Sequence, residues 1–472
     1  MGPPRDAARR AHDPRSSPTS PTAARCYISA TMYLLKNATL VNEGRQTVAD
    51  LLIRDQRIER IDPHIAPYGR VTEIDCTGRL VLPGLIDDQV HFREPGAPHK
   101  ATIGSEARAA VAGGVTSFME MPNTSPTTTT ADALEDKLRR AAATSVANYS
   151  FFFGATNDNL ADVLRADPRR IAGIKVFMGS STGNMLVDSP STLDRLFAEA
   201  PTLIATHCED EATVRANYAA AVERFGGPDN IPADQHPVIR SVEACHRSSA
   251  LAIELARRHG TQLHILHLTT EEELSQFAPG PLAGKRITAE VCVHHLWFSA
   301  DDYARLGHLI KCNPAVKAPR HRAALRQALL DDRLDILATD HAPHTWAEKH
   351  LPYPQAPSGL PLVQHALPML LALDFLPIER IVEKACHNPA RLFQIEERGF
   401  LREGYFADIA ILDPSARPVV RQEDVLYHVG WSPLEGEELR GAVTYTFVSG
   451  HPAWANGRID DSRMGLAVGF GR

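Results

Sequence analysis

The stretch LVLPGLIDDQVHFREPG, Leu80 to Gly96, joins an apolar run to a cluster of ligand-type and charged side chains. Apolar runs of this kind normally become core strands. This one passes without a break into Asp87, Asp88, Gln89, His91, Arg93 and Glu94. A strand buried along its length, with chemistry only at its end, suits a parallel barrel, where functional groups sit at the carboxyl ends of strands. Ideal alternation puts Asp87, Gln89 and His91 on one face and Asp88 on the other.

Working outward, seven more strand-like runs follow: TSFMEMP, YSFFFGAT, GIKVFM, TLIATHCE, QLHILHLTT, ITAEVCVHHL and DILATDHAP. Helix-like stretches separate most of them, including Ser105–Ala112, Ala131–Ala143, Ser191–Ala200 and Ser241–His259. Repeated strand–helix alternation predicts an α/β fold, a (β/α)₈ TIM-like barrel over residues 83–397. A doubly wound open sheet is the alternative, but no G-x-G-x-x-G or Walker A motif supports a nucleotide-binding version of it. Before the barrel, residues 32–82 read as short strands and turns, and residues 398–460 repeat that texture in ADIAILDP and AVTYTFVSGHPAWANG. The two ends together predict a small β-sandwich domain.

The whole chain is consistent with this plan. Its 472 residues can bury a large core, and 43% hydrophobic with 23% charged residues is an ordinary globular composition. A net charge of −7 argues against a general nucleic-acid binder. No apolar run is long enough to span a bilayer; the longest, near Leu367–Leu376, is broken by Pro368 and Asp374. The seven cysteines form no C-x-x-C pair and their odd number fits reduced thiols, hence an expected cytoplasmic location. Residues 1–31, rich in Pro, Ser, Ala and Arg, are expected to be a disordered tail, with Met32 as an alternative start.

Read as barrel strands, the runs end in a consistent set. The first ends in Gln89 and His91, the fourth carries Lys175, the fifth ends in His207, the sixth in His267 and the eighth in Asp340. Histidines and an aspartate at one barrel mouth supply the nitrogen and oxygen ligands of a hydrolytic zinc site. His264 has opposite parity to His267 and is expected to pack behind the barrel. His294 and His295 are expected to be core or supporting groups. HTWAEK and RHRAALRQ read as solvated surface, and GSSTGNML (Gly179–Leu186) as a mobile loop over the mouth. By themselves Lys175 reads as a solvated or paired lysine, Asn123 as a turn cap, and Asn313 before Pro314 as a loop residue.

At this point the sequence resembles the dihydroorotases of the amidohydrolase superfamily, from about Tyr33 to Gly457. The motifs are PGLIDDQVHFREPG, GGVTSFMEMPNTSP, GIKVFM, ATHCEDE, ILHLTT, TDHAPHT and GFLREGYFADIAILD. The resemblance implies interconversion of dihydroorotate and N-carbamoyl-aspartate in pyrimidine synthesis. It implies that His91 and Asp340 hold a first zinc, that a carboxylated Lys175 bridges to a second, and that His207 and His267 hold the second. It makes Asp340 the general acid/base toward a metal-activated water. Arg93, Asn123, Asn313 and His344 become the substrate contacts, with Arg93 matched to the substrate carboxylate.

The departure is Gln89, where the family pattern has histidine. An amide oxygen is a weaker zinc ligand than imidazole. Some bacterial members share DDQVHFREPG, which favours a tolerated variant. The resemblance further implies a small-molecule substrate and a homo-oligomer. Two alternatives stand beside it: a hydantoinase- or allantoinase-type cyclic amidase, and a non-catalytic structural partner of aspartate transcarbamoylase.

Overall fold

The computed structural model describes residues 31–179 and 185–472. The expected tail, apart from Thr31, and the centre of the expected 179–186 loop lie outside the described residues. In chain order the first strands are β1 (Met32–Asn42), β2 (Arg45–Arg54), β3 (Arg57–Asp62), β4 (Thr72–Asp75) and β5 (Leu80–Pro83). Next come β6 (Leu85–Val90), β7 (Val115–Glu120), β8 (Asn148–Phe151), β9 (Phe153–Gly154), β10 (Ile174–Phe177), β11 (Ile204–His207), β12 (Leu263–Ile265), β13 (Ile287–Cys292) and β14 (Ile336–Ala338). The last are β15 (Ile409–Asp413), β16 (Ala442–Val448), β17 (His451–Ala455) and β18 (Arg458–Ile459).

Strands β6 to β14 form the TIM-like barrel read from the sequence. Every pairing among them is parallel, in the order β6-β7-β8 and β9-β10-β11-β12-β13-β14. Phe152 interrupts one continuous run, so that β8 and β9 are two halves of one barrel strand. The ring closes where Val90 bridges His341 and the His91 amide donates to the His341 carbonyl at 2.7 Å. The intervening helices start on the caps their sequences offer: Thr102, Thr130, Ser189, Asp210 and Ser241 each accept a hydrogen bond from the first turn.

The chain ends together make one mixed nine-stranded sheet, β18-β17-β16-β15-β5-β1-β2-β3 with β4 on β1. Its own core joins Leu35, Leu51 and Ile53 to Ile409, Ile411 and Phe447. The opening stretch therefore serves two sheets: β5 pairs with β1 and β15, and β6 starts the barrel two residues later. Gly84 makes that handover, because a Cβ there would sit 2.1 Å from the Thr116 side chain.

Inside the barrel, a lower layer of Ile86, Met119, Phe152, Ala205, Leu266 and Ile336 packs on Phe393 and Phe470. The last dozen residues, beyond the expected 398–460 segment, run beneath the barrel. Ala467 bridges Tyr149, Phe470 bridges Ile395, and Arg472 donates to the carbonyls of Ala172 and Phe393 at 2.8 Å each. This segment packs against the lower layer of the barrel, at the end opposite the strands' carboxyl termini.

Two face assignments from ideal alternation are corrected by this geometry. The β6–β7 register shifts between Asp87 and Val90. The extra residue puts Gln89 and His91 out of phase with Asp87, which faces outward and accepts from Thr339, while Asp88 points into the barrel toward His264 at 3.5 Å. His264 is likewise an interior residue, not one packed behind the barrel: it lies beside Ala205 in register and 3.2 Å from Glu290. The chain then turns at His267, whose φ of +38° brings His267 to the interior as well. Parity counting fails wherever a strand is bulged or left-handed.

Candidate active site

The expected residues converge at the open end. Gln89, His91, Arg93, Asn123, Lys175, His207, His267, Asn313 and Asp340 line one cavity of about 470 Å³. His344 does not line it; it sits behind the wall, with Nε2 2.9 Å from the Arg93 guanidinium and 3.0 Å from the Ser358 carbonyl. His294 and His295 are buried behind the site, as expected of supporting groups, with His295 Nε2 bonded to the Pro314 carbonyl at 3.1 Å.

One half of the mouth is built on β11 and the end of β12. His207 Nε2 lies 2.9 Å from Glu209 Oε2, and a carboxylate only accepts, so Nε2 carries the hydrogen. That leaves the Nδ1 lone pair facing His267 Nε2 at 2.9 Å. Burial holds both histidines below the usual imidazole range, and Lys175 and the neighbouring histidines push His267 further down. His267 Nδ1 is buried without a hydrogen-bond partner. Two neutral imidazole nitrogens this close suit a shared cation, since donors on one tetrahedral zinc stand roughly 3.3 Å apart.

Lys175 completes this half from β10. It is buried, 4.5 Å above the Phe177 ring, and burial lowers its ammonium to about 7. A lysine neutral near pH 7 is a nucleophile able to take up CO₂, which would turn it into an anionic oxygen ligand. These residues fit a divalent metal.

The other half is built on β6 and β14. His91 Nδ1 lies 2.9 Å from Asn123 Oδ1, and His91 Nε2 lies 3.2 Å from Asp340 Oδ1. Gln89 Nε2 donates to the same Asp340 oxygen at 3.4 Å. Asp340 and Arg93 both have left-handed backbone, φ +46° and +66°, which turns their side chains from the strand direction into the mouth. The Arg93 Nε donates to the Pro343 carbonyl at 3.0 Å. Burial lowers its guanidinium to about 10, so it stays charged at neutral pH.

Several functional neighbours were not singled out in the sequence. Glu209 lies two residues after His207 within ATHCEDE, and Arg240, on the cavity wall, pairs with it. His236 Nε2 donates to the Cys312 carbonyl at 2.8 Å and reaches Asn313 Oδ1 at 3.1 Å, while its Nδ1 takes the Tyr353 hydroxyl at 2.7 Å. With Asn313 Oδ1 so occupied, its amide N–H groups remain for a ligand. Two buried lysines pin the cavity rim: Lys311 caps the carbonyls of Tyr353 and Ala356, and Lys349 those of Lys311, Pro357 and Gly359. Lys349 and His321 therefore correct the reading of HTWAEK and RHRAALRQ as solvated surface, because both are buried.

The comparisons agree with this geometry. Residues 80–453 match the model of the amidohydrolase family. A dihydroorotase of Halobacterium salinarum is 35% identical over 416 residues, covering 86% of this chain and 94% of that protein. An allantoinase of Rubrobacter xylanophilus is 32% identical over 452 residues, covering 93% and 98%. An L-hydantoinase (dihydropyrimidinase) structure from Arthrobacter aurescens superposes with a TM-score of 0.87 at 26% identity, covering 93% of this chain and 99% of that one.

Proposed function

Because the chain belongs to the amidohydrolase family, we propose that it interconverts dihydroorotate and N-carbamoyl-aspartate, a step of pyrimidine synthesis. The observation that carries this reading is Arg93. A charged guanidinium on the cavity wall, held by Pro343 and backed by His344, is a receptor for a ring carboxylate. Hydantoin carries no carboxylate to match it. Ring opening creates a second carboxylate, and the same wall carries Arg240 and Lys311.

A bound divalent metal, zinc by its nitrogen donors, supplies Lewis-acid polarisation of the ring carbonyl and lowers the pKa of water. His207, His267 and Lys175, the last as its CO₂ adduct, would hold it. Arg93 and Asn123 grip the substrate carboxylate and fix the ring over Asp340. Among the described residues the contacts of His91 and Gln89 both converge on Asp340 Oδ1. Oδ2 is then the oxygen that accepts the attacking water's proton and returns it to the leaving ring nitrogen. The Asn313 amide donates to a ring carbonyl.

Among the described residues no helix is long and apolar enough to cross a membrane, and the proposed setting is the cytoplasm, as a homo-oligomer. The test is hydrolysis of dihydroorotate beside hydantoin and allantoin, with metal content measured on the same sample. Preference for dihydroorotate supports the reading. Preference for allantoin transfers the site to the activity its 32%-identical relative is named for. A folded protein that binds no metal and opens none of the rings is a structural partner instead.

A further inference from the structure

Gln89 is the one side chain at the mouth whose type departs from the pattern around it, and its surroundings define what it does. It is fully buried. Its amide faces two different partners. On one side lies Asp340 Oδ1, at 3.4 Å. A carboxylate oxygen can only accept, so the Gln89 group presented there is the N–H. On the other side the Cys292 sulfur lies 3.7 Å from Gln89 Oε1 and 3.8 Å from Glu290 Oε1, and its single S–H serves one of these acceptors. The amide is thereby oriented from both ends, with its oxygen turned away from Asp340 and its N–H turned toward it.

An N–H carries no lone pair for a metal. Among the described residues that line the cavity on this half, His91 and Asp340 then present donors, whereas the opposite half presents two imidazoles, with Lys175 between and Glu209 fixing one ring. The halves differ in ligand strength for a physical reason visible in their hydrogen bonds.

Building on the proposed hydrolase reading, we infer that Gln89 is a positioning residue, which donates to Asp340 and is not a metal ligand. We infer with it that the site takes one metal per chain, on the His207–His267 side. Gln89 replaces a second cation with a hydrogen bond. It keeps Asp340 Oδ1 engaged, so that Oδ2 faces the cavity. Cys292, against the amide oxygen, is the neighbour that favours this orientation.

The experiment compares wild type with Gln89→His and Gln89→Met, using metal content by mass spectrometry and the EPR spectrum of the cobalt-loaded protein. Wild type is expected to hold one metal per chain and to give an uncoupled high-spin Co(II) signal. Gln89→His restores an imidazole and is expected to raise the content toward two, with the signal diminished by spin coupling. Gln89→Met removes the amide at similar length. It is expected to keep one metal while kcat falls on the order of tenfold, with KM within about twofold.

Two metals per chain in wild type overturn the inference and leave the proposed function standing. Loss of the metal in Gln89→Met also overturns it, because Gln89 would then be a ligand. An unchanged single metal in Gln89→His shows that residue 89 does not set the count. If Gln89→Met does not fold, wild type and Gln89→His still decide the count, and Cys292→Ala tests the positioning arm. Freeing the amide there should lower kcat without changing metal content; an unchanged kcat refutes the positioning role. A wild type with neither metal nor turnover removes the proposed function itself.

Discussion

The two halves of the barrel mouth use the same scaffold for opposite purposes. On the β11–β12 half, His207 and His267 face each other at 2.9 Å, and a buried glutamate fixes the tautomer of one ring. On the β6–β14 half, an amide, an imidazole and a carboxylate are joined by hydrogen bonds, and Arg93 sits beside them. In the proposed reading the first half offers lone pairs to a cation. In the same reading the second holds a proton acceptor and an anion receptor in place. The difference teaches that residue type alone does not assign roles here; the partner behind each group does.

The contrast breaks most sharply at His207. His207→Ala should lower turnover by roughly 10³-fold or more and release the metal, because it removes one of two imidazole donors. Gln89→Met is its counterpart on the other half and should cost far less. Comparable losses from the two variants would erase the distinction.

Arg93→Met addresses the second half's other task. Removing a desolvated charge opposite a carboxylate should cost ~2–4 kcal/mol in transition-state binding, read as kcat/KM for dihydroorotate. Metal content should not change. Wild-type kcat/KM in this variant would show that the carboxylate binds elsewhere.

Glu209→Gln sharpens the first half. The amide can still meet His207 Nε2 but no longer carries the charge that raises ligand basicity and pairs with Arg240. Metal affinity should fall about 10–100-fold, measured by competition with a chelating dye. A tight-binding variant would make Glu209 a structural ion-pair partner of Arg240 only.

The smallest effect is on the stability of the metal-free protein. Burial lowers the Lys175 ammonium to about 7, far below its value in an unfolded chain, near 10.4. Between those values the unfolded state binds the extra proton, so stability rises with pH from about 7 to 10. Lys311, also lowered to about 7 by burial, contributes with the same sign. Melting curves of metal-free Lys175→Met across this range should show a shallower rise than wild type. An identical slope would mean that Lys175 is charged in the folded protein.

Much of this was legible in the chain. All eight apolar runs are barrel strands, and the ligand-type residues at their ends do meet at one mouth. They were readable because a buried parallel strand needs a continuous apolar run, and any polar group at its end must have a reason to be there. Glu209 was visible as a letter in ATHCEDE, but nothing in spacing says that it turns back onto His207. Arg240, His236 and Lys349 were hidden more deeply. They act from helices and loops, where charged residues are ordinarily solvated, and only packing reveals the carbonyl or carboxylate that each one meets.

The sequence by itself determined the barrel, the sheet built from both ends and the side chains at the mouth, because hydrophobic periodicity and strand-end chemistry are local properties. Tertiary structure alone decided which way those side chains face. The register shift in β6 put Gln89 and His91 out of phase with Asp87, and the left-handed turns at Arg93, His267 and Asp340 aimed three more groups. The orientation of the Gln89 amide was decided by Cys292 and Asp340, respectively 203 and 251 residues away along the chain. A hydrogen-bond partner so distant leaves no periodic trace in the sequence, since it is brought into reach only when the barrel closes.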